Sequence, residues 1–376
     1  MTSILRWAQH LTRKTPLQPL RFPTTGFDII PDLALLEEEQ LDEFKEDKYF
    51  PVQIGHVYAS KYQVLDNTHH DEFNIYETIR KVKSSHPGRR HVRSALDKFA
   101  LQSPAGKQHY CLVQTPLWDS WRDLLRRNPT NRFTEDLLKA GLWELLVGLD
   151  YLHAECKLVH TDIKADNIHS ELVDKQLFEA FTQAELETPT PRKYINGFPI
   201  YLSRKFGLPR ELGNVILSDF GAAVRGDERR NHDAQPNVYR SPEVMLKVRW
   251  SYPVDIWNVG VMIWDLFEGK HLFYGDDPSG EGYLTRAHLA EVIGMLGPPP
   301  LDLLQRGARS SEFFTEDGQW KAGIPIPEGL SLEASEENLE GSSKEKFLNF
   351  IRGMLQWRPE DRKTAKQLLE DPWFRN

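Results

Sequence analysis

Three polar residues that could do chemistry lie close together in the stretch HTDIKADNI, residues 160–168. Asp162 is an acid, Lys164 follows it by two positions, and Asn167 follows the lysine by three. A fourth candidate, Asp219, begins an Asp-Phe-Gly triplet directly after the apolar run VIL. Carboxylate, ammonium and amide groups at such short spacing are suited to proton transfer and to the stabilisation of anionic groups.

These residue types fit phosphoryl transfer, in which catalysis depends mainly on positioning and electrostatics. Asp162 could accept a proton from an attacking hydroxyl, and Lys164 could neutralise charge on the transferred group. Asn167 and Asp219 could hold Mg²⁺, which prefers oxygen ligands. Alone, the first motif also matches a charged loop after a helix, and the second matches a turn before Gly221. Together the two motifs favour a phosphotransferase.

The segments that must position these residues are predicted to be mainly helical. Residues 136–155 have apolar side chains at three- and four-residue steps, which predicts a long buried helix leading into the loop. Residues 254–273 contain a second buried helix that ends near Gly269. Three tryptophans on the apolar faces of these helices are predicted core residues: Trp143, Trp257 and Trp264.

Before residue 115 the pattern is different. Residues 52–65 and 109–116 predict short strands, and residues 72–82 predict a helix. A small part containing strands and one helix therefore precedes a large helical part, and the predicted fold class is α+β.

Composition narrows the classes of partner. The formal net charge of −8 over 376 residues disfavours direct nucleic-acid binding, which requires dense Lys/Arg patches, and fits a basic peptide better. The two cysteines, Cys111 and Cys156, form no CxxC pair, so we expect a reducing compartment rather than a disulfide framework or a zinc site. No apolar stretch approaches the length of a membrane span, so no membrane partner is expected.

The N-terminal region has a composition of its own. Its first 27 residues contain basic side chains and no acid, which is typical of a disordered leader or of a mitochondrial transit peptide. The acidic run LLEEEQLDEFKED follows at residues 35–47 and predicts a solvated linker. We expect residues 1–47 to be a disordered leader with this linker. The expected location is the cytoplasm, the nucleus or both, with mitochondrial targeting as the alternative.

The catalytic loop and the Asp-Phe-Gly triplet resemble those of eukaryotic protein kinases. Three further segments resemble the family in the same order along the chain: YRSPEV at 239–244, VDIWNVGVMIWDL at 254–266 and RPEDR at 358–362. The resemblance covers residues 48–376. It implies a bilobal kinase-like fold with a small, reduced β-rich N-lobe at 48–114. The large helical C-lobe would span 115–376, with an insert at about 170–213.

The resemblance also implies ATP and Mg²⁺ as cofactors. Asp162 and Lys164 would be catalytic, and Asn167 and Asp219 would be metal ligands. Three residues would contribute to nucleotide binding: Thr115 and Leu117, through backbone groups, and Glu72. Gln114 would lie at the back of the adenine pocket. Three charged residues would be structural, because Glu243 and Arg362 would pair and Asp255 would accept hydrogen bonds from backbone near His160.

Within the family, HTDIK, YRSPE and the long insert resemble the SR-protein kinases, which phosphorylate serines in Arg/Ser-rich proteins. This resemblance implies an Arg/Ser-rich protein substrate. We also expect the protein to be a monomer. Thr161 stands where most family members have an arginine that binds an activation-loop phosphate, so we do not expect switching by such a phosphate. Asp276, Asp277 and Glu281 are candidates to attract a basic substrate, with a solvated loop as the alternative.

The chain departs from the family in its small lobe. A kinase has a Gly-rich loop and a strand lysine that clamp the phosphates. Here only residues 66–70 separate the entry strand from the helix, and no GxGxxG occurs in the first 140 residues. Glu72 would therefore lack its lysine partner, which predicts weak or no ATP binding.

Three explanations remain for the incomplete small lobe. Either the chain descends from an active kinase and the missing segment reflects a skipped or mis-assigned exon, or it is a pseudokinase that acts as a binding module or scaffold for basic peptides. The four retained residues, Asp162, Lys164, Asn167 and Asp219, favour the active kinase, because a scaffold does not require them. A small-molecule phosphotransferase of kinase-like fold is the third alternative, which YRSPE and RPEDR disfavour.

Overall fold

The computed structural model describes residues 18–31, 33–36, 52–58, 62–63, 73–103, 106, 108–195 and 197–375 of the chain. Within these residues the chain forms two structural units. The first unit is drawn from Met1–His70, Lys98–Cys111 and Asp174–Pro209. The second is drawn from Asp71–Asp97, Leu112–Val173 and Arg210–Asn376, and it contains the four predicted catalytic and metal-binding residues.

The strands of the described part are short. In chain order they are β1 (Val57–Tyr58), β2 (Tyr62–Gln63), β3 (Ala95–Gln102), β4 (Gln108–Gln114), β5 (Leu117–Ser120), β6 (Leu158–Val159), β7 (Ile168–Glu171), β8 (Arg192–Ile195), β9 (Phe198–Tyr201), β10 (Val215–Leu217) and β11 (Val224–Arg225). Antiparallel pairs join β1 to β2, β6 to β11, β8 to β9, and β7 to both β5 and β10. β3 and β4 form a separate two-stranded sheet. The predicted strands correspond to β1, β2 and β4, whereas β3 was not predicted.

The helices are concentrated in the second unit. They are α1 (Phe73–Lys81), α2 (Trp121–Arg127), α3 (Glu135–Ala154), α4 (Lys175–Glu187), α5 (Pro242–Met245), α6 (Pro253–Phe267), α7 (Thr285–Leu296), α8 (Leu301–Arg306), α9 (Ser310–Phe313), α10 (Leu332–Ser335), α11 (Gly341–Arg352) and α12 (Ala365–Leu369). The helices predicted at 72–82, 136–155 and 254–273 correspond to α1, α3 and α6. Helix α4 lies in the predicted insert and was not predicted.

Helices α3 and α6 provide much of the core of the second unit. The Thr134 side chain caps α3 by accepting a hydrogen bond from the backbone N–H of Leu137 at 3.3 Å. On α6, Trp257 and Trp264 are fully buried, which confirms their predicted place in the core.

The prediction that Trp143 lies in the core is wrong, because 46% of its surface is exposed to solvent. It lies three and seven positions after Ala140 and Asp136, which are also exposed on α3. Residues at these spacings share one helix face. The helix therefore turns Trp143 to solvent, although its neighbour Leu142 is fully buried.

A three-stranded sheet in the second unit brings the predicted metal ligands to one end. Leu217 of β10 pairs with Ile168 of β7. Asn167 directly precedes β7 and Asp219 follows β10 by two residues. Because antiparallel strands place the start of one beside the end of the other, both residues lie at the same end of the sheet. β5 is the third strand of this sheet, and it begins at Leu117.

In the first unit, part of the predicted leader pairs with the hairpin β8–β9 of the insert. Backbone hydrogen bonds run from Ile30 N–H to the Arg192 carbonyl at 3.0 Å and from Arg192 N–H to the Asp28 carbonyl at 3.1 Å. The Arg192 guanidinium also lies over the rings of Phe27, at 3.9 Å from the centroid, and Tyr201, at 4.5 Å. Residues 1–17, 32 and 37–47 of the leader lie outside the described residues.

Among the described residues, no helix is both long enough and apolar enough to cross a bilayer.

A close approach of two backbones makes Gly88 a sensitive position. A Cβ at Gly88 would lie 2.0 Å from the Val147 carbonyl oxygen and 2.7 Å from Cβ of Tyr151, both on α3. We therefore expect Gly88→Ala to lower the free energy of unfolding by about 3 kcal/mol, at the upper end for overpacking, because backbone must move. Urea denaturation measures the change. The control is Gly207→Ala, whose Cβ would meet only a methyl of Leu177 at 3.3 Å, and an equal loss in both variants would contradict this account.

A buried carboxyl group makes the stability depend on pH. Burial raises the pKa of Glu268, and the nearby Glu336 carboxylate raises it further. Glu268 Oε1 has no hydrogen-bond partner among the described residues. A raised pKa means that the folded state binds the proton more tightly than the unfolded state, so the charged group destabilises the fold at neutral pH and this cost disappears as pH falls through the folded pKa.

We expect Glu268→Gln to stabilise the protein by about 1 kcal/mol at pH 8, with an advantage that shrinks on acidification. Thermal unfolding of the variant and the unchanged chain between pH 8 and pH 5 measures this. Glu345→Gln, at an exposed position of α11, is the matched control. A Glu268→Gln advantage that grew on acidification would contradict the assigned pKa direction.

Candidate active site

A buried carboxylate fixes the loop that carries the predicted catalytic residues. Asp255 of α6 is fully buried and accepts hydrogen bonds at 2.8 Å from the backbone N–H groups of His160 and Thr161. The His153 ring lies at the same distance from Asp255 Oδ2. This arrangement confirms the predicted structural role of Asp255. It also stabilises Thr161 in the left-handed backbone conformation, at φ 68°.

The loop brings Asp162, Lys164 and Asn167 together. Lys164 Nζ lies 3.1 Å from Asp162 Oδ1 and 2.9 Å from Oδ2. Asn167 Nδ2 donates at 2.8 Å to Asp162 Oδ2 and also to the Asp162 backbone carbonyl. The Asp162 carboxylate is therefore held by two donors on its own loop. Its side chain keeps 19% exposure, so a reacting hydroxyl can reach it.

Thr161 contacts the segment that follows the Asp-Phe-Gly triplet. Its Oγ1 donates to the Ala222 carbonyl at 2.9 Å. A neutral hydroxyl at this position makes a direct bond to backbone, whereas an arginine would offer positive charge to a phosphate.

The triplet is anchored on the catalytic loop. Ser218 N–H donates to the Asn167 carbonyl at 2.9 Å. Phe220 is fully buried, and its ring centroid lies 5.1 Å from that of the His160 ring in an edge-to-face arrangement. Asp219 has φ 62°, and its Oδ1 accepts from Gly221 N–H at 3.3 Å. The structure thus places Asp219 next to the strand end that carries Asn167.

A His–Ser pair beside these residues was not predicted. His169 Nδ1 lies 3.0 Å from Ser218 Oγ. Burial and, to a smaller extent, the Arg93 charge lower the pKa of His169 to about 4, so the ring is neutral at physiological pH. The sequence did contain a signal for this pair, because each is a polar residue in an apolar strand context. His169 stands two positions after Asn167, and Ser218 stands directly before Asp219.

The segment after the triplet is held by buried polar side chains. Arg362 forms a bidentate pair with Glu243, at 2.6 and 2.7 Å, and both side chains are fully buried. This confirms the predicted pair. Sequence reasoning missed Gln235, whose Oε1 accepts from both the N–H and the hydroxyl of Ser241 at 2.9 Å. Gln235 Nε2 donates to Asn258 Oδ1 at 3.0 Å, which ties the segment to α6.

The predicted nucleotide contacts lie at the start of β5. Leu117 is half-buried and pairs with Glu171 of β7, whereas Thr115 is exposed in the link between β4 and β5. Gln114 Nε2 is buried and has no hydrogen-bond partner among the described residues. Glu72 lies outside the described residues, since the description of α1 begins at Phe73. The roles of Thr115, Leu117 and Glu72 in nucleotide binding stay predictions.

The oxygen atoms at the site fit Mg²⁺. Because Asn167 uses its amide nitrogen on Asp162, its amide oxygen faces away from that carboxylate, and Asp219 supplies a carboxylate nearby. The described residues contain no cluster of three or more His, Cys, Asp or Glu that could hold a metal. Such a donor set suits Mg²⁺, which is usually bound by one or two side-chain oxygens together with substrate phosphates.

The fold and this arrangement of Asp162, Lys164, Asn167 and Asp219 are those of an ATP-dependent phosphotransferase of the protein kinase class. Residues 53–374 match the protein kinase domain, and the chain belongs to that family. This match confirms the predicted α+β, bilobal kinase fold with a small strand-rich N-lobe and a helical C-lobe. Protein kinases generally use ATP and Mg²⁺.

The chain is similar to serine/threonine protein kinases over most of its length. It is 38% identical to a serine/threonine protein kinase of Aspergillus fumigatus over 398 residues, with 96% of each chain covered. It is 28% identical to the Physarum polycephalum serine/threonine-protein kinase SRPK, over 91% of this chain and 92% of that protein. It is 27% identical to the Arabidopsis thaliana serine/threonine-protein kinase AFC2, over 71% of this chain and 60% of that protein.

These comparisons establish a serine/threonine protein kinase that acts on protein substrates. They give no support to the pseudokinase alternative. The Aspergillus match extends over 398 aligned residues, which exceeds the 376 residues of this chain. The relative therefore has residues at positions where this chain has none.

Breaking the Glu243–Arg362 pair should strongly destabilise the second unit. Arg362→Met keeps much of the side-chain volume but leaves the Glu243 charge buried and unpaired, which should cost about 4 kcal/mol. Urea denaturation measures the loss. Arg309→Met is the control, because Arg309 pairs with Glu312 at the surface and such pairs contribute less than about 1 kcal/mol. Equal losses would show that the buried pair has no special role.

Proposed function

We propose that this chain transfers the γ-phosphoryl group of ATP to serine side chains in Arg/Ser-rich proteins. The observation that carries the proposal is the Asp162 carboxylate, hydrogen-bonded to Lys164 and Asn167 on a loop that Asp255 fixes. The similarity to the Physarum kinase SRPK supports the choice of substrate.

In the proposed reaction the serine oxygen attacks the γ-phosphorus, the bond to the bridging oxygen breaks, and ADP leaves. Asp162 orients the hydroxyl and accepts its proton. Lys164, at 2.9 Å from Asp162 Oδ2, supplies positive charge beside the path of the phosphoryl group. Asn167 and Asp219 would hold Mg²⁺, which neutralises phosphate charge when bound with ATP.

Charge supports a basic substrate in two ways. The net charge of −8 attracts Arg-rich chains at long range. Of the three acidic candidates, Asp276 and Glu281 are exposed. Asp277 is buried and already bound to Arg286, at 2.6 and 2.8 Å, and this pairing lowers its pKa. We assign the attraction of substrate to Asp276 and Glu281, and to Asp277 a structural role.

We base the proposed oligomeric state, partners and cellular location on the charge and the cysteines of the chain. The kinase acts as a monomer on protein substrates, without direct nucleic-acid or membrane binding, in the cytoplasm, the nucleus or both. Its acidic charge and two unpaired cysteines support this setting.

Replacement of the proposed base tests the reaction. We expect Asp162→Asn to lower phosphorylation of an Arg/Ser-repeat peptide by roughly 10²–10⁴-fold, the usual contribution of a general base. The assay measures transfer of labelled phosphate from Mg·ATP, and a peptide with lysine in place of arginine tests the need for the guanidinium group. Asp317→Asn, at an exposed site, is the matched control. Equal labelling by Asp162→Asn and the unchanged chain would refute the assigned role.

The small lobe requires its own measurement, because loss of a preorganised phosphate donor typically lowers rates by about 10²–10³-fold. We propose that an in-frame segment encoding a Gly-rich loop and a strand lysine belongs between Leu65 and Asp71. The extra aligned residues of the Aspergillus relative support a chain with additional residues. Sequencing the transcript across these codons decides the point: contiguous codons would contradict the proposal.

A further inference from the structure

The leader adds one strand to the hairpin of the insert. β8 pairs with β9 at four positions. On the other edge of β8, the Arg192 N–H donates to the Asp28 carbonyl at 3.1 Å, and the Arg192 carbonyl accepts from Ile30 N–H at 3.0 Å. Ile29 pairs with Arg192 in the parallel direction. Addition of an extended segment to an open sheet edge is a recurring mode of peptide binding.

Two buried cations of β8 contact the leader through their side chains. The Arg192 guanidinium is 6% exposed and lies 3.9 Å from the centroid of the Phe27 ring. Lys193 is 1% exposed, and its Nζ donates to the Ala34 carbonyl at 2.7 Å. Arginine and lysine are seldom buried so completely unless partners compensate the charge. The leader provides part of this compensation through an aromatic face and a carbonyl oxygen.

The leader and the insert both contact the entry segment at residues 52–58. The hydroxyl of Tyr201, on β9, accepts a hydrogen bond from Ile54 N–H at 3.2 Å. Phe22 of the leader packs on Gly55, where an added Cβ would lie 3.1 Å from Phe22 Cδ2. All of these residues belong to the first unit. Three segments that are distant in sequence therefore meet within this unit.

The insert also has internal contacts that do not involve the leader. Glu185 Oε1 accepts from Thr190 N–H at 3.0 Å, and Arg204 Nε lies 3.2 Å from Glu185 Oε2. The described residues of the leader, in contrast, form no helix and no strand pair among themselves. A backbone bond from Ala34 N–H to the Pro31 carbonyl at 2.9 Å closes a turn there. The leader is therefore ordered mainly by its contacts with other segments, as a bound peptide is.

We propose that the insert carries a docking site for an extended peptide, and that residues 27–31 and 33–36 of the leader are its resident ligand. The Arg192 guanidinium recognises the aromatic ring of Phe27, the open edge of β8 binds the backbone that follows, and Lys193 binds the carbonyl of Ala34. Because the ligand is tethered to its site, its effective concentration is high. The inference does not rest on the proposed phosphoryl transfer, since docking requires no chemistry.

The test cuts the tether and keeps the whole chain present. A recognition sequence for a site-specific protease replaces residues 39–45, and a fluorophore at the N-terminus reports whether the released leader is bound. We expect the fluorescence anisotropy to stay high after cleavage and to fall when an unlabelled synthetic peptide of residues 18–36 is added in excess. A fall to the value of the free leader fragment on cleavage alone would overturn the proposal.

Peptide variants test the recognition without altering the folded protein. We expect the peptide with Phe27→Ala to compete about 10-fold less well, because it loses the contact with the Arg192 guanidinium. The peptide with Phe27→Tyr keeps an aromatic ring and should compete as the unchanged peptide does. The matched control is Ile29→Ala, whose side chain is 73% exposed, and it should also compete normally. Equal competition by all four peptides would contradict the proposed site.

Hydrogen exchange of the uncut chain separates undocking of the leader from general unfolding. We expect Phe27→Ala to speed amide exchange about 10-fold in peptides that cover the leader and β8, because docked and undocked states interconvert locally. Exchange in α3 and α6 of the second unit should stay unchanged, as it should throughout the chain in the Ile29→Ala control. Unaltered exchange in the leader of Phe27→Ala, or an equal rise in α6, would overturn the inference.

Discussion

The Asp255 carboxylate is the constraint on which the active site depends. It is a fully buried charge whose oxygen atoms are satisfied by two backbone N–H groups and by the His153 ring. Burial of a charge is costly unless such partners compensate it, so the loop and the helix stabilise each other. Asp255 also lies in the first turn of α6, where the helix dipole favours a negative side chain.

From this anchor the polar groups of the site connect in sequence. His160, whose N–H Asp255 binds, donates through its ring to the Ser218 carbonyl; Ser218 contacts Asn167, and Asn167 donates to Asp162. Each bond is short in range, yet together they connect α6 to the predicted metal ligands. The arrangement is preorganised, which is how a site that stabilises charge avoids reorganisation during the reaction.

Local motifs were predictable from the sequence, and contacts between distant segments were not. The catalytic loop at residues 160–168 spans nine residues, so the chemistry of Asp162, Lys164 and Asn167 is visible in one short stretch. The Glu243–Arg362 pair was predicted only because family resemblance related two segments 119 positions apart. His169 and Ser218 are 49 positions apart and lie in no recognised motif, so their contact required the register of β7 with β10.

Two other features could not be predicted from the pattern of apolar and polar residues in the sequence. Trp143 lies in a largely apolar stretch of sequence, and only the packing of α3 reveals that its side chain faces outward. Pairing of residues 28–30 with β8 depends on a contact between the N-terminal segment and an insert more than a hundred residues away. The leader has few local signals for such pairing, because strand addition uses backbone groups that every residue carries.

The base of the insert has a consequence for how this enzyme can diversify. Glu171 N–H donates to the Asn214 carbonyl at 2.8 Å, and Ser170 pairs with Val215, so the two ends of the excursion are already closed by β7 and β10. Closing a longer loop costs only about 0.6 kcal/mol for each doubling of its length. Residues can therefore be gained or lost between these ends during evolution without a change in the register that carries Asp219, which leaves the insert free to acquire new sequence while the reaction is conserved.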